Sequence, residues 1–262
     1  MPMKNPVPLF LTFLACLLLQ SSTGFALSDK KPTITIAADS WCPINCSRPE
    51  TKEGVGIDIA RAVFEPLGYN VNYIIMPWAD ALAKVNRGEI AAVVGAGRSD
   101  DPRLVFPSSA ILAISDDFYV LKGISWRFQG VETLKRKRLG VIESYGYGNE
   151  VKEYIRMNSE VRGAVQAQTG NNPLRTNIKK LQNNEIDVVV ESRPVMEYTL
   201  ASMGLEDKVI WAGGVKQDAV FLAFSPASPQ SAGFAKMYDD GVRRLKASGQ
   251  LANFYSAYGL RM

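Results

Sequence analysis

The chain has 262 residues, 47% of them hydrophobic and 21% charged, which is typical of a globular protein with one large domain or two modest ones. Its net charge of +4 is not concentrated in a basic tract, which argues against a nucleic-acid partner. The absence of histidine excludes Ser-His-Asp and Cys-His catalysis and the commonest zinc sites, and we expect neither a metal nor a cofactor.

The first 26 residues have the parts of a secretory signal peptide. A short basic segment precedes an apolar run over 7–19, and small residues stand before the expected cleavage site. That run is too short for a membrane span. Cys16 raises the alternative of a lipoprotein, but Phe13 stands where a leucine is usual. We therefore expect a mature chain that begins at Leu27 and works in the periplasm.

The segment WCPINC contains two cysteines, Cys42 and Cys46, close together in a turn. Export exposes them to an oxidising compartment, in which neighbouring thiols pair readily. Metal binding requires more ligands than the chain offers here, and the spacing is not that of a C-x-x-C redox motif. We predict a structural Cys42–Cys46 disulfide.

The mature chain opens with strands and helices that alternate. Apolar residues repeat at helical spacing in two segments, which a glycine ends or a proline begins. The intervening segments alternate or are continuously apolar, as strands do. This order predicts βαβ units and a parallel sheet. The predicted strands cover 33–39, 70–76 and 90–96, and the predicted helices cover 56–69 and 77–89.

A second α/β lobe follows a polar loop over 97–103 and an extended connection over 114–123. We predict strands at 138–144, 163–170, 186–192, 209–215 and 219–226, helices at 145–158, 172–185 and 193–204, and two closing helices within 228–260. The last two strands are expected to be separated by a loop. We assign residues 27–119 and 220–262 to lobe one and residues 120–219 to lobe two.

The two lobes share a local pattern, VNRGEIAAVVGAG and LQNNEIDVVVESR, that sets Gly95 opposite Glu191. Any two βαβ units look alike, so the match is weak evidence of duplication. Ligands nevertheless bind where strands end in open α/β sheets, and both turns are expected to border a cleft. Arg98 and Arg103 would supply cations on one side and Glu191 an anion on the other. Such a cleft suits a zwitterion such as an amino acid.

Several features point to one family: the signal peptide, the arginine-containing loop after IAAVVGA, and the motifs GVGIDIARAVFEPLGY, RLGVIESYGYGNE and EIDVVVESRPVMEY. Together they resemble the extracellular solute-binding proteins of polar amino-acid ABC uptake systems, family 3. The resemblance covers nearly the whole mature chain. It implies a two-lobed, periplasmic-binding-protein-like α/β fold of type II. Two parallel or mixed sheets with flanking helices would be joined by two crossover strands, and the lobes would close on the ligand.

The resemblance also implies roles for individual residues. Arg103 would bind a substrate carboxylate, Glu191 a substrate ammonium group, and Gly95 and Ala96 would offer backbone groups. Ser144 and Tyr145 would lie at a helix start suited to a carboxylate. The aromatic walls would be Trp41, Trp78 and Phe118.

Each role has an alternative. Only two residues separate Arg103 from Phe106, fewer than the family usually has, so Arg98 is the alternative anion ligand. Arg103 would otherwise pair with Asp100 or Asp101, and Glu191 with Arg193. Trp78 would otherwise pack its helix, and Trp41 would cover the disulfide.

The resemblance implies a monomeric binding protein that carries a small polar solute to an inner-membrane ABC permease. A ligand-sensing subunit of a membrane signalling protein is the alternative. A third possibility is an exported dehydratase acting on prephenate-like acids, in which Glu191 would be a general acid if burial raised its pKa. The absence of histidine makes the enzyme the weakest of the three.

Overall fold

The computed structural model describes residues 1–3, 31–47 and 52–260. The predicted signal peptide therefore lies, apart from its first three residues, outside the described part of the chain and stays a prediction. Within the described ranges, no helix is both long and apolar enough to cross a membrane.

The described residues form strands and helices that alternate as the sequence predicts. In chain order they are β1 Thr33–Ala38, α1 Val55–Phe64, β2 Asn70–Ile75, α2 Trp78–Asn86, β3 Ala92–Ala96, β4 Leu112–Leu121, β5 Leu139–Ile142, α3 Asn149–Asn158, β6 Val165–Gln168, α4 Pro173–Gln182, β7 Val188–Glu191, α5 Arg193–Met203, β8 Val209–Phe224, α6 Ser231–Ala247 and α7 Gln250–Ala257. Short 3-10 turns cover Glu65–Leu67 and Val131–Leu134.

The strand order is β2-β1-β3-β8-β4-β7-β5-β6. β1 pairs in parallel with β2 and β3, and β5 pairs in parallel with β6 and β7. Each parallel group therefore comes from one of the two predicted series of βαβ units. The antiparallel strands β4 and β8 lie between the two groups. The predicted two-lobed α/β fold with two crossover strands is confirmed.

β8 joins the two halves of the sheet. Its last residues pair with β3, from Ala96↔Phe221 to Ala92↔Phe224, and its earlier part pairs with β4, from Leu121↔Val209 to Leu112↔Val220. We expected two strands separated by a loop here, and that expectation is wrong. The 16-residue strand absorbs its Gly-Gly segment with register shifts along the β4 ladder. The predicted lobe boundaries fall inside β4 and β8 and stay a prediction.

Two buried clusters each contain packed aromatic side chains. In the first, Phe64 of α1 packs against Phe224, Phe234 and Tyr238 with ring centroids 6.1–6.4 Å apart. Gly54 allows α1 to begin close to the chain beside it, because a Cβ there would lie 2.4 Å from a backbone oxygen and its φ is 107°.

The second cluster contains Phe118 of β4, which stacks on Phe128 with ring centroids 3.9 Å apart. Phe118 is fully buried in this cluster. We predicted that it forms a wall of the cleft, and the structure places it in the core instead, where its ring packs on Phe128.

Candidate functional site

A cavity of about 40 Å³ lies where β1, β3 and β7 end and where β4 and β8 cross between the lobes. This is room for a few water molecules. The lining residues come from both predicted lobes: Asp39, Trp41, Asn45, Trp78, Val94, Gly95, Gly97 and Asp100 from the first, Ile114, Ser115, Asp116 and Val220 from the crossing strands, and Tyr145, Gly146, Tyr147, Glu191 and Ser192 from the second. The expectation that strand ends border a cleft is consistent with this geometry.

Gly95 interrupts β3 beside the cavity. Its φ is 89°, and the pairing of β3 with β8 shifts register between Val94 and Ala96. A Cβ at Gly95 would lie 3.3 Å from the ring of Trp41. The glycine therefore lets the indole of Trp41 approach the strand end closely.

Three aromatic rings form one wall of the cavity. The Tyr145 ring lies between the two indoles, 6.3 Å from Trp41 and 6.4 Å from Trp78, with interplanar angles of 80° and 81°. We call Trp41, Tyr145 and Trp78 the aromatic row. Edge-to-face contacts of this kind fix the rings relative to one another.

Each ring of the aromatic row donates its polar hydrogen to a different carboxylate. The bonds are Trp41 Nε1 to Glu191 Oε1 at 2.8 Å, Trp78 Nε1 to Asp100 Oδ1 at 3.1 Å, and Tyr145 Oη to Asp39 Oδ2 at 2.7 Å. Two of these bonds connect residues more than 100 positions apart. The row thus ties the end of β1 to the second lobe.

Glu191 ends β7 and is a deeply buried acid of the cavity, with 4% of its surface exposed. Its Oε1 also accepts the backbone N–H of Ser192 at 2.7 Å. Its Oε2 is buried and accepts no hydrogen bond from the described residues, and the buried hydroxyl of Ser192 has no partner there either. Burial raises the pKa of Glu191 to about 8, against the opposing effect of the bonds from Trp41 and Ser192.

The pKa values of Asp39 and Asp100 are also raised by burial. Burial raises the pKa of Asp39 to about 7 although Tyr145 donates to it. Burial raises the pKa of Asp100 to about 6, although the backbone N–H of Gly97 donates to Oδ2 at 2.6 Å. In each case removal of water from the carboxylate outweighs the hydrogen bonds that it accepts.

A fourth carboxylate, Asp116, reaches the cavity from β4 and accepts the backbone N–H of Gly148 at 2.8 Å. Among the residues that the structure describes, no three acids, cysteines or histidines lie close enough to hold a metal ion. The carboxylates are therefore spread around the cavity instead of converging on one point.

Neither a protein-family model nor a curated protein sequence matches the chain. Solved structures do match. An ancestral arginine-binding protein bound to arginine has a TM-score of 0.72 and 17% identity, with 87% of this chain and 98% of that one covered. An amino acid ABC transporter substrate-binding protein from Streptococcus pneumoniae bound to L-arginine has a TM-score of 0.69 and 18% identity, with coverage of 86% and 94%.

A histidine kinase sensor domain with similarity to periplasmic binding proteins is equally similar in fold, with a TM-score of 0.72, 14% identity and coverage of 90% and 100%. The chain has the two-lobed fold of periplasmic binding proteins. Sequence identities this low establish the fold and leave the ligand to be argued from the cavity itself.

The two predicted anion ligands lie outside the cavity. The side chain of Arg103 is 71% exposed and pairs with Asp101, Nε to Oδ1 at 2.9 Å and Nη2 to Oδ2 at 2.5 Å. The exposed guanidinium of Arg98 lies over the rings of Phe106 and Phe221, 4.8 and 5.0 Å from their centroids. The cavity lining, taken over the described residues, contains neither arginine. This placement supports the alternative in which Arg103 forms a salt bridge.

Of the other predicted residues, some line the cavity and some do not. Gly95, Tyr145, Trp41, Trp78 and Glu191 line the cavity. Arg193 lies 4.0 Å from Asp117 and stacks on Trp211, so its pairing is with that acid rather than with Glu191. Ala96 is buried in β3 and is not part of the lining among the described residues.

Ser144 and Tyr145 do not stand at a helix start. α3 begins at Asn149, and Ser144 is an exposed residue with φ 64° in the turn after β5. That turn carries Tyr145 into the cavity as an aromatic residue. The expectation of a carboxylate site at the start of this helix is therefore corrected.

Sequence reasoning missed Asp39, Asp100 and Asp116. Asp39 follows the apolar strand TITIAA directly, as Glu191 follows VVV, so the signal that identified Glu191 applies to it equally. Asp100 was considered only as a salt-bridge partner of Arg103, and Asp116 lies in the strand that we treated as a connection.

The predicted disulfide is present. Cys42 and Cys46 are bonded, with Cα atoms 4.7 Å apart. The turn that they close also brings the backbone N–H of Trp41 to the carbonyl of Asn45, at 2.8 Å. The disulfide thus fixes the loop that carries one indole of the aromatic row.

Proposed function

We propose that the chain is an exported solute-binding protein, not an enzyme, that captures a small polar solute between its lobes and delivers it to an inner-membrane ABC permease. The observation that carries this proposal is the cavity between the crossing strands, lined from both lobes and closed by direct bonds between them. Trp41 donates to Glu191 across the cavity, and Ser99 Oγ donates to the carbonyl of Gly146 at 2.8 Å.

The geometry suits capture by closure. β4 and β8 connect the two parallel groups of strands, and small changes along two such strands are enough for a hinge motion. A ligand that contacts both sides of the cavity stabilises the closed arrangement by its differential affinity for it. The permease then recognises the closed form. The fold neighbours that bind arginine support this class of function.

A thermal-shift screen of amino acids, polyamines and small organic acids tests the binding step. A ligand at 100 times its Kd stabilises the native state by about 2.7 kcal/mol, which gives a clear shift of the unfolding midpoint. Uptake of the labelled hit by cells that lack the gene tests the transport step. Unchanged uptake in those cells contradicts delivery to a permease.

Sensing is the second candidate, because a kinase sensor domain has the same fold over its whole length. Both roles require a cavity that closes and a surface that reports closure. The same deletion strain separates them: loss of a ligand-dependent transcriptional or cyclase response with intact uptake favours the sensor.

The dehydratase alternative requires a protonated Glu191, and the raised pKa of Glu191 meets that requirement. The rest of the cavity does not favour it, because a dicarboxylate substrate would face three further acids, Asp39, Asp100 and Asp116. Incubation with a prephenate-type acid tests it directly. An aromatic product that appears at a rate dependent on Glu191 would establish the enzyme.

A further inference from the structure

The charge of the cavity differs from that of a site for a zwitterion. Four carboxylates line it, from Asp39, Asp100, Asp116 and Glu191, whereas the described lining contains neither lysine nor arginine. An amino acid brings one carboxylate of its own, and that group would have to lie among four others without a cation to neutralise it. Burial of an unpaired carboxylate is strongly unfavourable.

Most of the neutral donors around the cavity are also engaged, the Ser192 hydroxyl being an exception. Both indole N–H groups and the Tyr145 hydroxyl already donate to carboxylates of the cavity. The backbone N–H groups of Gly97, Gly148 and Ser192 do the same, toward Asp100, Asp116 and Glu191. A ligand carboxylate would therefore compete with the protein's own acids for every one of these donors. The cavity offers hydrogen-bond acceptors to a ligand.

One acceptor is available and well placed. Glu191 lines the cavity with only 4% of its surface exposed, and its buried Oε2 accepts no hydrogen bond from the described residues. A buried acceptor without a donor destabilises the site, and a charged donor compensates more strongly than a neutral one. Beside it, the Ser192 hydroxyl is buried without a partner among the same residues. Both groups fit an N–H-bearing ligand.

The aromatic row provides the matching surface. Its three rings line the cavity, and each ring is held by its bond to an acid. An ammonium or guanidinium group gains about 0.5–2 kcal/mol over the face of such a ring when it is removed from water. Carboxylates alone suit a metal ion as well, but the acids here do not converge and the wall is aromatic. An aromatic wall favours an organic cation over a metal ion.

We propose that the ligand of this cavity is an organic ammonium ion without a carboxylate, a primary amine or a diamine, which donates to Glu191 Oε2 and packs against the aromatic row. The inference rests on the proposed solute-binding function and narrows its ligand class. The α-amino acids that the fold neighbours bind are disfavoured here by their carboxylate.

Matched pairs of ligands test the proposal. The purified mature chain is titrated calorimetrically at pH 8.5 with cadaverine against lysine and with agmatine against arginine, the members of each pair differing by one carboxylate. We expect the amine of at least one pair to bind at least about tenfold more tightly than its amino acid. Calcium chloride serves as the inorganic arm and is expected not to bind.

A variant tests whether the amine contacts Glu191 Oε2. Glu191→Gln keeps an acceptor for the Trp41 N–H and removes the charge, and we expect it to lower the affinity for the amine about 100-fold or more. Glu185→Gln changes an exposed glutamate of the same segment and should leave the affinity unchanged. Circular dichroism melting of both variants checks that they fold.

Three results overturn the proposal: tighter binding of the amino acid in both pairs, binding of calcium in preference to the amines, or equal amine affinity in Glu191→Gln and the parent chain. The first two leave a solute-binding protein with a different ligand, and the third leaves an amine ligand that does not contact Glu191. The absence of a thermal shift with every amino acid, amine and organic acid of the screen would instead contradict the proposed function together with this inference.

Discussion

Asp100 and Asp101 are neighbours in the sequence and have opposite electrostatic properties. Asp100 faces the cavity, where burial raises its pKa to about 6. Asp101 accepts two bonds from the Arg103 guanidinium, which hold its pKa well below the usual range. The comparison shows that a cation partner decides the charge of an acid in this loop. The guanidinium of Arg103 binds Asp101 directly, whereas Asp100 accepts bonds from Trp78 and Gly97 and feels Lys152 only at a distance.

The same division runs through the rest of the chain. On the surface, Asp187 pairs with Arg138, whose guanidinium lowers the pKa of that acid. In the cavity, Asp39 and Glu191 accept bonds from neutral donors alone, and burial raises the pKa of both. Asp187 therefore has a cation partner within the protein, whereas Asp39 and Glu191 would gain one from the proposed ligand.

The largest expected effect is on stability as a function of pH. Glu191 has an ordinary pKa of 4.5 and a folded pKa of about 8, so the native state binds this proton more tightly than the unfolded state does. The resulting stability is complete below about pH 4.5 and is lost as the pH rises through about 8. Asp39 and Asp116 strengthen the effect, because their negative charges face Glu191.

We expect the free energy of unfolding of the ligand-free chain to fall by about 2–4 kcal/mol between pH 5 and pH 8.5, measured by urea denaturation. Glu191→Gln should remove the part of this slope above about pH 7 and be more stable than the parent chain at pH 8.5, whereas Asp39 and Asp100, whose pKa values burial also raises, should keep the part below it. Glu185→Gln should keep the slope. A parent profile that is flat over this range would contradict the raised pKa.

The next effect concerns how closely the two sides of the cavity approach. A Cβ at Gly146 would lie 2.7 Å from the backbone nitrogen of Asp100 and 2.7 Å from its Cγ. Gly146→Ala therefore pushes apart the loop of Asp100 and the turn that carries Tyr145, which a closed complex must hold together.

We expect Gly146→Ala to weaken amine binding about 10- to 100-fold, since overpacking of this kind typically costs about 1–3 kcal/mol. Gly233→Ala is the matched control, because a Cβ at Gly233 meets nothing within 4 Å. Calorimetry gives the affinities and urea denaturation the stability. An affinity equal to that of the control would show that the two sides do not meet in the complex.

A smaller effect separates hydrogen bonding from packing in the aromatic row. Trp78→Phe keeps a ring and removes the donor to Asp100 Oδ1. Because that bond lowers the pKa of Asp100, its loss should raise the pKa and reduce amine binding about 3- to 10-fold at pH 6.5, with a smaller loss at pH 8.5.

Trp126→Phe is the control for this change, since the Trp126 indole donates to the carbonyl of Thr133, away from the described cavity lining. A loss of affinity in Trp78→Phe that is the same at both pH values would assign the effect to packing instead of to Asp100.

Most of the fold follows from the sequence because each element has its own local signal. Apolar periodicity, Pro194 in the first turn of α5 and the glycine after it are enough to place α5 at Arg193–Met203, close to the predicted segment. β8 was not predicted as one strand because Gly213 and Gly214 are typical of a loop, whereas pairing with β4 continues the strand through them. Pairing partners, which local sequence does not reveal, decide such cases.

Strand ends located Glu191. The resemblance located Trp41 and Trp78, which line the cavity, but it misplaced Arg103. Glu191 was found because an acid ends an apolar strand, and the same physical rule identifies Asp39. Arg103 was assigned by alignment to a family pattern, and its direction depends on Asp101, two positions away, which captures it at the surface. The sequence shows that both charges are present, but not which of the partners each one meets.

The smallest expected effect is therefore that of Arg103→Ala. The guanidinium is exposed and contacts Asp101 outside the described cavity lining, so its removal should leave amine affinity unchanged. The unfolding midpoint should fall slightly, and the pKa of Asp101 should rise toward its ordinary value, which NMR titration of the carboxyl carbon measures. Arg98→Ala serves as the parallel test of the other arginine. The comparison between Asp100 and Asp101 assigns these arginines to the surface. A loss of ligand binding in either variant would instead show that an arginine of this loop binds an anionic group of the ligand, and it would favour a zwitterionic ligand.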